Sequence, residues 1–230
     1  MAKSMEKKYG VKTSEIYMYP QTREEIRKLI EKEQDPVHKS ELEGILERVN
    51  DNPDQGIWYT YWKVVRRKER GLHVGGFWFM GEPNRGVVEI CFTIFKEFRG
   101  RRYATQCLRE ITEWAFANKV YTIEATVATE NSSAISVLDR SGYVYRSGDR
   151  VEQSYSIEKQ RTGWAGFYLI LGVTTGLFLG ILLNSMIAGM IIGVAIGLLA
   201  GTGMDVSAMK EREKVTGEKY VRRKKRKSSK

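Results

Sequence analysis

The stretch Gly86 to Leu108, GVVEICFTIFKEFRGRRYATQCL, changes its period part-way along. From Val87 to Phe95 it is apolar, β-branched and aromatic, the composition of a strand. Glu97, Phe98, Arg99 and Gly100 form a turn. From Arg101 onward, Ala104, Cys107, Leu108, Ile111, Trp114 and Ala115 recur at three- and four-residue steps, so a helix with one apolar face follows. A strand thus runs into a helix through a basic, glycine-containing turn. The first N–H groups of such a helix lack partners within it, and its dipole favours negative charge there. The junction is therefore either a phosphate site, strengthened by Arg99, Arg101 and Arg102, or a solvated basic turn.

Upstream, Ile16 and Met18 predict a short strand ending at Pro20. Thr22 followed by Glu25 has capping-box spacing and opens a helix whose apolar stripe is Ile26, Leu29 and Ile30. A second helix is expected after Asp35-Pro36, ending near Asn52-Pro53. Ile57 to Val65 and His73 to Met80 read as strands. Downstream, a strand from Val120 to Ala128, a short helix from Asn131, a strand near Tyr143 to Arg146 and another from Val151 to Ile157 are expected. Helices interspersed with neighbouring strands imply an α/β (α+β) domain, a mixed sheet covered on both faces.

Charge is unevenly spread over the 230 residues. The net charge is +10, yet residues 210–230 hold eleven Lys/Arg against three Glu, or +8, leaving +2 for the rest. Nucleic acid is accordingly not expected as a partner of the folded domain, and an anionic surface suits the tail. Two cysteines, Cys91 and Cys107, fit reduced thiols in a cytoplasmic domain, and neither they nor the two histidines have metal-ligand spacing. His38 and His73 are read as structural. The aromatic set from Trp58 to Phe79 belongs to the core or the sheet surface.

The run Arg99-Gly100-Arg101-Arg102-Tyr103-Ala104 resembles the acyl-CoA pyrophosphate loop of the GNAT N-acetyltransferases, Arg/Gln-x-x-Gly-x-Gly/Ala, with Arg102 where the family usually has its central glycine. Asn131 to Tyr143, NSSAISVLDRSGY, resembles the following helix and strand of that family. Gly75-Gly76-Phe77 and Gly81-Glu82-Pro83-Asn84 before Glu89 are similar to the ribosomal-protein-alanine acetyltransferase branch. The resemblance covers about residues 14 to 158. It implies the GNAT fold, mostly antiparallel, and acetyl-CoA as cosubstrate, with the diphosphate held by Arg99, Gly100, Arg101, Arg102, Tyr103 and Ala104. It further implies that the backbone of Phe92, Thr93 and Ile94 binds the pantetheine arm beside a strand splay. Asn131 either binds that arm or caps its helix.

Transfer of an acyl group to an amine also needs a base, and Glu89 lies in an otherwise apolar strand where a carboxylate with a raised pKa would suit that task. Many relatives carry Glu here; the alternative is a solvated sheet-surface Glu. For the general acid, relatives place Tyr where this chain has Leu138, or Ser where it has Ala134. Ser133 and Tyr143, together with Ser136 and Tyr145, remain, and solvent could protonate a thiolate.

From Gly163 to Met204 no Asp, Glu, Lys or Arg occurs. One spanning helix needs about 20 residues, so two spans are expected, Trp164 to Leu183 and Met186 to Thr202, turning at Asn184-Ser185. Glycines at every fourth position, 172, 176 and 180, then 189, 193, 197 and 201, give each span a smooth ridge. The ridges serve either to pack the two spans on each other or to drive self-association. A buried soluble hairpin is the competing reading. Lys159, Arg161 and the basic tail flank the spans, which puts both ends in the cytoplasm. The tail, Arg222 to Lys227, would rest on anionic headgroups, touch ribosomal RNA or stay unstructured.

The expected organisation is a domain over 1–160, a two-span hairpin over 161–205 and a basic tail over 206–230. The expected function is acetylation of a primary amine, on a protein N-terminus or a small molecule, at the cytoplasmic face of the cell membrane. The alternative is a catalytically weak acyl-CoA-binding or protein-binding membrane sensor.

Overall fold

The structure, a computed structural model, describes residues 9–68, 71–160, 163–182 and 184–217. The chain divides into two compact units that meet in sequence at Lys159 and Gln160. In the first, the elements run β1 (Val11–Lys12), β2 (Ile16–Pro20), α1 (Arg23–Lys32), α2 (Pro36–Asp51), a short helical segment α3 (Gly56–Tyr59), β3 (Trp62–Arg66), β4 (His73–Phe79) and β5 (Val87–Ile94). Then come α4 (Tyr103–Ala117), β6 (Thr122–Ala128), α5 (Ser132–Arg140), β7 (Val144–Gly148) and β8 (Glu152–Glu158). The eight strands form one sheet in the order β1-β2-β3-β4-β5-β6-β8-β7. Every neighbouring pair is antiparallel except β5 and β6.

Local chemistry accounts for the helix starts. Thr22 accepts from the Glu25 N–H while Glu25 bonds back to the Thr22 N–H, a complete capping box. Asp35 accepts from the Val37 N–H, with Pro36 in the first turn of α2. The strand expected from Ile57 instead begins at Trp62, because Gly56 to Tyr59 winds into a helical turn after Pro53. The two residues of β1 had no sequence signal.

Two cores lie on opposite faces of the sheet. On one, Cys107, Leu108, Ile111 and Ala115 of α4 pack on Val88, Ile90, Ile123 and Ala125. On the other, Ile26, Leu42, Ile45 and Val49 of α1 and α2 cover Tyr61 and Trp78. Each fully buried aliphatic side chain here contributes about 1.5–3 kcal/mol. Helices thus lie on both faces of the mixed sheet, as expected. Strand β6 alternates buried Ile123 and Ala125 with exposed Glu124, Thr126 and Ala128, and β7 is exposed along its length.

The second unit is a helical hairpin of α6 (Trp164–Leu182) and α7 (Met186–Thr216). The turn lies at Asn184-Ser185, with Asn184 in the left-handed region at φ 51°. All seven ridge glycines are buried between the helices. A Cβ on Gly193 would stand 2.2 Å from the Gly172 carbonyl oxygen, and one on Gly176 2.6 Å from that of Gly189. Phe167, Phe178, Ile187, Ile191 and Leu199, by contrast, point outward and are exposed. At the open end the Asp205 carboxylate accepts from the Trp164 N–H at 2.8 Å and the Ala165 N–H at 3.3 Å, capping α6 from the neighbouring helix. The second span was expected to stop at Thr202. Its helix continues to Thr216, since Ala208 to Lys214 are nearly all strong helix formers. Leu183, Arg161 and the basic segment 222–227 lie outside the described residues.

Candidate active site

Strand β5 parts from β6 part-way along. The parallel pairing runs from Val87 with Thr122 to Glu89 with Glu124 and stops there, while pairing with β4 continues to Ile94. From Ile90 onward the edge of β5 that faced β6 is therefore without a strand partner, a row of peptide groups open to a ligand. Beyond Ile94 a 3₁₀ turn (Lys96–Phe98) leads to Arg99, whose Nε donates to the Ile94 carbonyl at 3.0 Å.

The turn then enters α4 through two left-handed residues, Gly100 at φ 77° and Arg102 at φ 61°. Arg102 is the N-cap of α4, and its side chain makes no capping bond. Gln106 is the first N–H to bond back into the helix, to the Arg102 carbonyl at 3.1 Å, so the N–H groups of the first turn are available to an anion. A left-handed conformation costs a residue with a Cβ about 1–2 kcal/mol relative to glycine. Arg102 thus holds a backbone conformation that favours glycine and adds a cation to the cavity wall.

A cavity of about 380 Å³ opens between this turn, the free edge of β5 and α5. It is lined by nine of the ten residues expected to bind a cofactor: Phe92, Thr93, Ile94, Arg99, Gly100, Arg102, Tyr103, Ala104 and Asn131. Arg101 is not on its wall. Ser133 is, together with Phe98, Thr105, Ser136, Val137 and Arg140. Arg140 escaped the sequence reading because it is remote in sequence from the basic turn, although its i+7 spacing from Ser133 was a visible signal. Three arginines and no carboxylate line the cavity, so its field is positive.

The remaining site residues are placed as follows. Asn131 caps α5, its Oδ1 accepting from the Ala134 N–H at 3.1 Å, and lines the cavity as well. Glu89 sits at the fork where β5 and β6 separate, on the face opposite Val88 and Ile90. Tyr143 is in the main core away from the cavity wall, its hydroxyl 3.0 Å from that of Thr112, and burial pushes its pKa up. Leu138 is completely buried, and exposed Tyr145 packs against Tyr155. Of the residues considered as acids, Ser133 and Ser136 alone line the cavity.

Neither cysteine suits a nucleophile. Burial first, then the Glu89 charge, pushes Cys91 up to about 11, and burial raises Cys107 further. Both histidines are held by packing. His38 Nδ1 lies 2.6 Å from Glu33, and His73 Nε2 3.2 Å from the Tyr61 hydroxyl, with the Phe95 ring edge-on to both. Among the described residues no three His, Cys, Asp or Glu side chains gather as a metal site.

Residues 7–144 match the acetyltransferase (GNAT) domain. The chain belongs to this family. A curated relative, an uncharacterized N-acetyltransferase, YjdG, from Bacillus subtilis, is 26% identical over 98 residues, 42% of this chain and 56% of the relative, so the chain spans little more than half the relative's length. The same GNAT fold occurs in a GNAT-family acetyltransferase from Bacillus anthracis, at 15% identity and a TM-score of 0.51 over 65% of this chain and 98% of that one. It occurs also in the ribosomal L7/L12 alpha-N-protein acetyltransferase RimL in complex with coenzyme A, at 11% identity and a TM-score of 0.51 over 65% and 97% of the two chains.

The cavity of this GNAT domain fits an acyl-CoA. It offers unpaired helix N–H groups and guanidinium groups for a diphosphate, a free strand edge for the amides of a pantetheine arm, and no acidic side chain to repel either.

Proposed function

We propose that this chain is an acetyl-CoA-dependent N-acetyltransferase that acetylates a primary amine, either a protein N-terminus or a small molecule. The observation that carries this reading is the cavity in which the first turn of α4, the free edge of β5 and the polar face of α5 meet. Acetyl-CoA supplies an activated acyl group as a thioester. The first-turn N–H groups of α4, with Arg99 and Arg102, hold its diphosphate, and the edge at Phe92, Thr93 and Ile94 aligns the arm, making the encounter effectively intramolecular. Glu89, at the fork, takes the proton from the ammonium of the acceptor, and Ser133, on the cavity wall, is the candidate to return one to the departing thiolate.

The reading extends to the second unit, which we infer crosses a membrane twice with both ends cytoplasmic. A soluble helical pair hides its large apolar residues; this hairpin hides its glycines and presents Phe, Ile and Leu outward. The 19 residues of α6 reach about 28 Å, close to the hydrocarbon thickness of a bilayer. Because each glycine ridge is filled by the other, packing within the hairpin takes precedence over self-association.

A second reading, a membrane-bound acyl-CoA sensor of weak activity, is favoured by one observation. Residue 138 is a buried Leu and Tyr143 is buried in the main core, so neither of these positions presents a tyrosine acid to the cavity. Thiol release from acetyl-CoA with a panel of protein N-termini, polyamines and aminoglycosides separates the two. Turnover on any amine, lost in Glu89→Gln, supports the enzyme; saturable binding without turnover supports the sensor. Recovery of the full chain in the soluble fraction after lysis overturns the hairpin's membrane role.

A further inference from the structure

Resting on the acetyltransferase reading with Glu89 as base, we propose that Arg48 of α2 binds a carboxylate carried by the acceptor. The preferred acceptor is then a primary amine with an acidic group beside it, and not a polycation such as a polyamine. Two unpaired, opposite charges on one face of the sheet lead to this residue. Glu89 is half-buried, on the same face as Cys91, which packs into the core under α1 and α2. Its carboxylate has no hydrogen bond or ion pair among the described residues. Arg48, in the last turn of α2, is also half-buried. Its Nε is buried without a hydrogen-bond partner, and its guanidinium has no ion pair among the described residues.

Two contacts fix how α2 lies over β5. His38, in the first turn of α2, meets Phe95 just past the end of β5, with ring centroids 5.4 Å apart. Val49, near the other end of α2, shares a core cluster with Trp78 and Cys91. The helix therefore runs back along the strand. From His38 to Arg48 it advances about 15 Å, and from Phe95 back to Cys91 the strand covers about 13 Å, so Arg48 comes level with Cys91. Electrostatics agrees: the Cys91 thiol, pushed up by burial and then by the Glu89 charge, is drawn back by the charge of Arg48. Glu89 is the next residue on that face, about 7 Å further along the strand. The fork, with Glu89 beside Glu124, suits an ammonium, and the guanidinium near Cys91 suits an anion. An acceptor with positive charges alone would satisfy the first and be repelled by the second. A carboxylate matches the guanidinium as a fork and gives it the partner that the fold does not.

The test is thiol release from acetyl-CoA by the full chain in detergent, with paired acceptors that differ only in the acid. One set pairs L-amino acids with their carboxamides; the other pairs short peptides carrying Asp or Asn at the second position. Wild type should favour the acidic members of at least one set by about tenfold or more in kcat/KM, mainly through KM. A preference confined to the first set identifies an α-carboxylate, and one confined to the second an acidic side chain. Arg48→Ala should bring the ratio near one while acetyl-CoA affinity, read by calorimetry, stays within about twofold of wild type. Arg48→Lys should retain part of the preference. Equal use of both members of every pair by wild type, better use of polyamines, or a preference that survives in Arg48→Ala overturns the proposal and leaves the acetyltransferase reading intact. Turnover on no amine overturns that reading and this proposal with it.

Discussion

Glu89 and Glu124 stand side by side as the last in-register pair before β5 and β6 separate. Their neighbours Val88, Ile90, Ile123 and Ala125 are buried in the main core, so alternation puts both carboxylates on the opposite face, at the point of the fork. Like charges directly across a strand pair weaken it by a few tenths of a kcal/mol to about 1 kcal/mol. Neutralising either one should therefore leave the fold at least as stable, and a loss of rate can be assigned to chemistry. Glu89→Gln should lower kcat about 100-fold or more, with affinity for acetyl-CoA within about twofold of wild type. Glu124→Gln should cost less than about tenfold. A kcat for Glu89→Gln close to wild type would remove Glu89 as the base.

The left-handed Arg102 sets a stability contrast at one position. Alanine there retains the strain of a Cβ at positive φ, whereas glycine relieves it. Arg102→Gly should be more stable than Arg102→Ala by about 1 kcal/mol in denaturant unfolding. Both should bind acetyl-CoA less tightly than wild type, since both lose the guanidinium. Equal stability of the two variants would place residue 102 outside the left-handed region.

The strand, basic turn and helix around Arg99 were legible because the hydrophobic period changes there and the turn residues are distinctive. The fork in the sheet was expected through family resemblance and not through the strand itself: nothing between Val87 and Ile94 marks Glu89 as the last residue paired with β6. Trp58 and Tyr59 suit a strand by composition, yet Pro53 and Gly56 put them in a helical turn, a local backbone effect overriding side-chain preference. Tyr143 was among the residues left as candidate acids, but its bond to Thr112, 31 residues away in sequence, is a tertiary fact. The end of α7 was not legible in the apolar stretch, because hydropathy reports where apolar surface stops, whereas a helix ends where its backbone bonds stop, at Gly217 in the left-handed region.

The glycine faces of the hairpin leave no tolerance. A Cβ at residue 193 meets backbone, which cannot rotate away as a side chain can. Gly193→Ile should therefore separate α6 from α7 and lower the thermal midpoint of the hairpin in micelles by several degrees. Leu199→Ala truncates a side chain that is 74% exposed and should leave that midpoint unchanged. Asp205→Ala should cost about 1 kcal/mol, the value of a lost helix cap, and fray α6 at Trp164. Amide exchange at Trp164 and Ala165 reads that fraying directly, and unchanged protection would refute the cap.

His73 gives the first unit a defined acid sensitivity. Burial, and then the charge of Lys63, hold its pKa down to about 4, against 6.5 for the free side chain. The unfolded chain therefore binds the proton more readily than the folded one, and stability must fall as pH falls from about 6.5, levelling off near 4. The shift corresponds to a loss of about 3 kcal/mol over that window. Above pH 6.5 the ring is neutral in both states and contributes no slope. In His73→Gln the side chain no longer titrates, so denaturant midpoints measured from pH 8 to pH 4 should fall less steeply than in wild type, with the curves converging toward acid. Parallel curves for the two proteins across that range would mean that the ring takes up its proton in the fold as easily as in water.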